Sequence, residues 1–482
     1  MNTNNTVKPL MWKFLERFGV IGTQFILQII LARLLGPDCY GMLAIMIIFT
    51  TIANVFIQTG FSTSLIQNKD VTDEDYSSVF WVSLGIAGAL YAVIFFASSF
   101  IAQFFKMPEI VWPMRVLTIM LFPGALNSIQ LAKVSRELNF KKVFFSNVGA
   151  IVISGVVGII IALYGGGLWS LVAQSILNIT IAAVVMLFTV KWYPKPIINI
   201  PRVKILFSFG WKLLVSSLLD TLYQNLQSLV IGKKYDSSTL GNYNKGQQFP
   251  MAIISAINGT VQAVMLPVMS ADQDDRSKVK NIMRRSMTLN AYLVFPMMSG
   301  LAAVAEPLVR ILLTEEWLPC VPYLQISCFT LAFYPIHSSN LQAINASGRS
   351  DIFLKLEIIK KVVSTVLLVG ALLMFDTPMA IAWSGAIGVP IGLFINASPN
   401  KKLINYSYYE QMKDILPSFI ISVIMGLSVW SLTLLGWNPI PTILFQMIFG
   451  IAVYLLLSFV TRMEPLIIIW AMIKKKQTNN DI

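Results

Sequence analysis

Residues able to make or break bonds are sparse in this 482-residue chain, and they do not cluster. The three cysteines, Cys39, Cys320 and Cys328, show no metal-ligand spacing, and the one histidine, His337, leaves no triad or histidine pair. All four read as packing residues, so the chain is expected to be no enzyme and to hold no metal or cofactor. What recurs instead is polar side chains at helical spacing inside apolar stretches. Lys13, Arg17, Gln24 and Gln28 share one helix face; Thr51, Asn54, Gln58 and Ser62 share another. Two hundred positions on, Ser217, Asp220, Gln224 and Gln227 form a third stripe, and Asn244, Gln248, Ser255, Asn258 and Gln262 a fourth. A charge at the centre of a membrane helix costs about 2.5–3.5 kcal/mol even on lenient scales, so such groups face a bundle interior or a watery cavity. The cavity set is therefore Lys13, Arg17, Gln24, Gln28, Asn54, Gln58, Asp220, Gln224, Gln227, Lys245, Gln248 and Asn258, with Asp220 the deepest ionisable group. A plainer reading stands beside it. Single Gln and Asn residues also bond across helix contacts, Lys13 and Arg17 also snorkel to headgroups, and Asp220 also pairs locally with Lys245. Arg115 is a further cavity candidate, whereas Glu306 and Arg310, four apart on a helix, pair more simply with each other.

The elements that position these stripes follow from composition. With 56% hydrophobic and 12% charged residues and a mean hydropathy of +0.70, the chain is too apolar for a soluble protein of its length and reads as an all-α polytopic membrane protein. The net charge of +13 forms no single basic face, which argues against nucleic acid. The polar start, followed by a span with Lys13, Glu16 and Arg17, does not resemble a cleavable signal peptide. A ruler of about 20 apolar residues per span places about fourteen transmembrane helices. They fall near 10–34, 41–67, 79–105, 111–132, 143–164, 168–190, 205–232, 240–269, 286–313, 320–346, 353–375, 379–397, 415–436 and 441–461. Lys and Arg gather on alternate connections, at 133–142, 191–204, 276–285, 349–355, 401–402 and 474–476, which places both termini in the cytoplasm.

An internal repeat organises the spans. Ala32–Gly41 (ARLLGPDCYG) returns in degraded form as Gly232–Gly241 (GKKYDSSTLG), and the same gapless offset pairs Arg33 with Lys233, Gln24 with Gln224 and Phe49 with Phe249. The repeat predicts an N-terminal lobe of six spans (1–193), a cytoplasmic linker (194–204) holding Pro194, Pro196 and Pro201, and a C-terminal lobe of six spans (205–398). Residues 399–482 add two helices and a basic cytoplasmic tail. Parallel duplicated halves suit a transporter that rocks two lobes about a central cavity, here lined by the four stripes. Every extracytoplasmic loop is short, which argues against a membrane glycosyltransferase or polymerase.

Ala32–Gly41, Gly60–Gln67 (GFSTSLIQ), Asp70–Trp81 (DVTDEDYSSVFW) and Ser135–Lys142 (SRELNFKK) resemble the polysaccharide flippases of the multidrug/oligosaccharidyl-lipid/polysaccharide exporter superfamily, near the colanic and teichuronic acid exporter branch. Asp220 departs from the neutral Asn expected in many relatives. The resemblance implies a MATE-like fold in the bacterial inner membrane. It also implies alternating-access transfer of polyprenyl-pyrophosphate-linked oligosaccharide repeat units for O-antigen, capsule or exopolysaccharide synthesis. Arg17, Lys13 or Lys245 would then meet the pyrophosphate, the amide stripes the sugars, and the last two spans the lipid tail. Implied partners are the lipid-linked substrate, membrane lipids, and polymerase and chain-length machinery, with H+ or Na+ coupling. The alternatives are a cation-coupled multidrug exporter of the same superfamily and a peptidoglycan lipid precursor flippase.

Overall fold

The computed structural model describes residues 3–68, 70–137, 140–468 and 470–471; the side chains of 3–11, 13–17, 60, 209, 258–264 and 266 lie outside the described set. Among the described residues every regular element is helical. In chain order they are α1 (Thr3–Leu34), α2 (Pro37–Gln67), α3 (Asp73–Phe104), α4 (Val111–Leu117), α5 (Leu121–Glu137), α6 (Phe140–Leu163), α7 (Leu168–Val190), α8 (Ile200–Gln224) and α9 (Leu226–Lys234). There follow α10 (Ser237–Ala271), α11 (Arg276–Ala303), α12 (Ala305–Leu312), α13 (Val321–Ala332), α14 (Tyr334–Ala346), α15 (Ser350–Met374), α16 (Pro378–Ala397), α17 (Asn400–Leu403), α18 (Tyr408–Ser431) and α19 (Pro439–Val460).

Eight helical segments are long and apolar enough to cross a membrane, and ten if two bent pairs each count as one span. The bends are 55° between Ser208 and Gly210 in α8 and 67° between α11 and α12. The protein is a multi-pass membrane protein. Among the long helices below that apolar threshold are α1 and α10, which carry polar stripes, and α15, which holds Lys355, Glu357, Lys360 and Lys361. Large side chains such as Val93, Phe96 and Phe100 on α3 and Ile448, Ile451 and Leu455 on α19 are exposed, as expected where hydrocarbon is the solvent.

The chain packs as two compact units, Met1–Asn244 and Lys245–Ile482, so the division falls inside α10. In the first unit, α6 packs on α1 and α7 through small residues that let helices approach closely. A methyl group at Gly155 would stand 2.9 Å from Leu27 Cδ2, and one at Gly158 would stand 2.9 Å from Gln174 Cβ. The turn between α6 and α7 uses Gly165 and Gly167 at φ +80° and +50°, which β-carbon-bearing residues rarely adopt. α8 joins this unit by lying along α2: Phe61 packs on Phe207, and Ser64 Oγ donates to the Leu206 carbonyl at 2.9 Å.

The linker is not a free tether. Asn199 caps α8, its Oδ1 accepting from Arg202 N, and residues 192–199 lie extended along the start of α3. Lys195 N and Asn199 N donate to Ser77 Oγ and Ser78 Oγ at 3.1 and 2.9 Å, and Trp81 Nε1 donates to the Lys195 carbonyl at 2.7 Å. Asp75, in a capping box with Thr72, accepts two hydrogen bonds from Arg202.

In the second unit α18 and α19 dock on α11 and α12. Ser299 Oγ donates to the Ser422 carbonyl at 2.7 Å, and Tyr454 OH donates to the Tyr292 carbonyl at 2.8 Å. At one end Arg284 bridges Asp414 (3.1 Å) and Glu464 (2.7 Å), Lys280 binds Glu410 (3.1 Å), and Tyr406 OH donates to Asp414 at 2.6 Å. Cys320 and Cys328 are buried, and Cys39 is half-buried. His337 packs on Gly392 and meets Asn396 Nδ2 at 3.1 Å through Nδ1.

Candidate functional site: polar faces of the paired spans

The stripes become surfaces once the helices are formed, and the two units hold them separately. In the first unit Gln24 and Gln28 are half-buried on α1, and the Gln28 carbonyl accepts from Tyr40 OH at 3.4 Å. Lys13 and Arg17, on the same predicted face, lie outside the described residues, as does Asn258 on α10. On α2, Thr51 and Gln58 are exposed, whereas Ser62 is half-buried and shares a 2.7 Å hydrogen bond with Ser128 of α5. Asn54 turns toward α5 as well: a methyl group at Gly124 would stand 3.2 Å from its Oδ1, a buried acceptor with no hydrogen-bond partner. The α2 stripe thus splits between an open part at Thr51 and Gln58 and a helix contact at Asn54 and Ser62.

On α8, Ser217 and Asp220 are half-buried and Gln224 is exposed. The helix then breaks at Asn225, whose Nδ2 donates back to the Thr221 carbonyl at 2.8 Å. The break puts Gln227 on α9, where its Oε1 accepts from Tyr243 OH at 2.5 Å, while Ser228 Oγ donates to Asn244 Oδ1 at 3.0 Å. This polar ladder ties α9 to the start of α10.

The second unit opens with Lys245, which is only 3% exposed, its ammonium 5.5 Å from the Trp317 ring centroid. A cation–π contact gains strength where water is excluded. Gln248 is half-buried one turn on.

Residues outside the stripes have local roles. Arg115 donates to the Phe95 carbonyl and to Ser98 and Ser99, with its guanidinium 4.4 Å from the Phe95 ring and 4.9 Å from the Trp112 ring. Glu306 and Arg310 pair at 3.1 Å, and Arg310 also reaches Glu315 at 3.0 Å. Sequence reasoning did not foresee what Asp70–Trp81 does. The span predicted near 79–105 starts earlier, at Asp73, because Thr72 and Asp75 form a capping box, and the docking of the linker onto Ser77, Ser78 and Trp81 joins residues more than a hundred positions apart.

Chemically, the exposed and half-buried members of the first unit, Gln24, Thr51, Gln58, Ser217, Asp220 and Gln224, offer amide and hydroxyl donors and acceptors with a single carboxylate. Among the described residues no group of three or more His, Cys, Asp or Glu side chains could hold a metal ion.

Comparison with known proteins supplies the rest. Residues 30–322 match the family model described as polysaccharide biosynthesis protein. The teichuronic acid biosynthesis protein TuaB of Bacillus subtilis (strain 168) is 24% identical over 80% of this chain and 80% of its own length. The succinoglycan biosynthesis transport protein ExoT of Rhizobium meliloti (strain 1021) is 22% identical over 76% of this chain and 74% of its own. In fold, the chain is similar to lipid II flippase MurJ in an inward closed conformation, with a TM-score of 0.74 and 16% identity over 95% of this chain and 99% of that one. This chain belongs to the polysaccharide biosynthesis protein family.

Proposed function

We propose that the protein is a flippase that moves polyprenyl-pyrophosphate-linked oligosaccharide repeat units across the bacterial inner membrane, supplying O-antigen, capsule or exopolysaccharide synthesis. The observation that carries this reading is the joint occurrence of polysaccharide-family membership with largely neutral amide and hydroxyl faces on a multi-pass helical fold. A sugar head group exchanges hydrogen bonds with water for bonds to Gln24, Gln58, Gln224 and Gln248, and Lys13, Arg17 or Lys245 meets the pyrophosphate. Gln28, Asn54, Asp220, Gln227 and Asn258 complete the proposed set. α18 and α19 offer an apolar flank to the lipid tail. No bond is broken in this scheme.

In the proposed topology fourteen spans place both termini in the cytoplasm, with lobes at 1–193 and 205–398 alternating access. H+ or Na+ coupling and contact with polymerase and chain-length machinery belong to the same proposal. Deleting the gene tests it: loss of a surface polysaccharide with lipid-linked units accumulating inside is expected. Unchanged polysaccharide with lost drug tolerance would favour a cation-coupled multidrug exporter, and arrested peptidoglycan synthesis would favour a peptidoglycan precursor flippase.

A further inference from the structure

Arg115 holds a positive charge against neutral groups alone. Its Nε donates to the Phe95 carbonyl at 3.2 Å and to Ser98 Oγ at 2.9 Å, and its Nη2 donates to Ser99 Oγ at 3.3 Å. The Phe95 and Trp112 rings on which the guanidinium rests carry no charge either. Among the described residues no carboxylate forms an ion pair with Arg115 and no group accepts from Nη1, so the hydrogens of that nitrogen face outward unused. The end of α3 adds further positive charge. Lys106 is exposed just after the helix, and Lys233, also exposed, donates to the Phe104 carbonyl at 2.7 Å.

The depth of this guanidinium follows from α3. Trp81, whose indole donates to the docked linker, lies 17 residues before Ser98, about 26 Å along the helix. A hydrocarbon core is about 30 Å thick, so with Trp81 at one interface Ser98 and Arg115 stand at the other, where phosphates lie. The side they face is hydrocarbon: Phe96 and Trp112 are 79% and 63% exposed, and Val93 and Phe100 are exposed beside them. From Ser99 toward the bilayer centre, steps of three and four give Phe96, Ala92, Ala89 and Gly85 on one exposed face, which narrows to small side chains. A methyl group added at Gly85 or Gly88 meets nothing within 4 Å. We infer that Arg115 binds the phosphate of an anionic phospholipid in the leaflet opposite the linker, with one acyl chain laid along Ala92, Ala89 and Gly85. Guanidinium matches phosphate through paired N–H groups, and a site this rich in cations repels the amine of a zwitterionic headgroup. The inference rests on the multi-pass membrane fold and not on what the protein transports.

Photolabelling tests the site. The full-length protein is reconstituted in phosphatidylcholine vesicles carrying a trace of photoactivatable phosphatidylglycerol or, in parallel, photoactivatable phosphatidylcholine, and adducts are mapped by mass spectrometry. Phosphatidylglycerol is expected to label residues 85–115 about fivefold more than phosphatidylcholine. Arg115→Gln should bring that labelling down to the phosphatidylcholine level, and Arg115→Lys, which keeps the charge, should retain part of the difference. Because Arg115→Gln also removes bonds between α3 and α4, Ser99→Asp serves as a second variant. It sets a carboxylate against the guanidinium at an exposed position, neutralises the charge while keeping the two helices tied, and should abolish the preference as well. Equal labelling of this segment of the wild-type protein by the two lipids overturns the inference, as does a wild-type preference in Ser99→Asp. Loss of the preference in excess inorganic phosphate would also overturn it, by assigning the site to a soluble anion.

Discussion

Arg202 grips Asp75 through two hydrogen bonds, 3.0 Å from Nε and 2.8 Å from Nη2, and so joins the first turn of α8 to the first turn of α3 across 127 positions. The same Nη2 donates to the Asp70 carbonyl at 2.7 Å. Asp75 is 2% exposed and held well below the degree of solvation a free carboxylate enjoys, so its charge depends on this partner and on the cap at Thr72. The acidic motif is a dock for the linker.

Loosening that dock should expose the linker. Asp75→Asn is expected to cost about 2 kcal/mol, between the values for exposed and buried ion pairs, and Trp81→Ala about 0.5–1.5 kcal/mol for the lost hydrogen bond to Lys195, plus its lost packing. Trypsin cleavage after Lys191 should accelerate in both. An unchanged cleavage rate and melting midpoint in detergent would show that the dock contributes nothing.

Two glycines of α6 should respond in opposite senses. Gly158→Ala meets Gln174 Cβ at 2.9 Å and the Ser170 carbonyl at 3.3 Å, so the α6–α7 contact must open, at about 1–3 kcal/mol. Gly149 has nothing within 4 Å of an added methyl, and Gly149→Ala should be neutral or stabilise by about 0.4–1 kcal/mol through the unfolded chain. Thermal unfolding of the purified variants decides it, and equal midpoints would contradict this account of the packing.

The last two spans should lose their anchor without Arg284. Its bonds to both Asp414 and Glu464 tie α11 to α18 and to the segment after α19, whereas Lys280 binds one carboxylate and the Asn405 carbonyl. Arg284→Ala is expected to destabilise by about 1–2 kcal/mol, discounted for partial exposure, and Lys280→Ala by less. High salt should narrow the difference between wild type and Arg284→Ala. A variant as stable as wild type at low salt refutes the clamp.

The proposed site predicts loss of transport at normal abundance. Gln58→Ala and Gln224→Ala, both at exposed positions, should each lower export by about 3–10-fold, the equivalent of one net hydrogen bond of about 0.5–1.5 kcal/mol. Asp220→Ala and Arg17→Ala should impair export more, because each removes a charge. Complementation of a deletion strain, with immunoblotting for abundance, is the measurement. Full complementation by all four variants would make these residues structural.

Much was legible in the order of residues. Hydrophobic content fixed the membrane class because burial of so much apolar surface has no other solvent, and helical spacing separated polar stripes from apolar faces. The family signature, the repeat and the Glu306–Arg310 pair are all local or periodic patterns, so they can be read without a fold. Tertiary packing decided what those patterns do. Asn54 and Ser62 share a stripe with Gln58, yet α5 claims both, because which part of a helix face meets a neighbour depends on where that neighbour crosses. That α8 packs along α2, and that the compact units part between Asn244 and Lys245, depends on contacts that no periodic pattern announces. Gly41 and Gly241 are aligned by sequence alone as equivalent positions. That they touch, backbone against backbone, is settled only when two distant helices cross, since no periodicity encodes a contact between residues 200 apart.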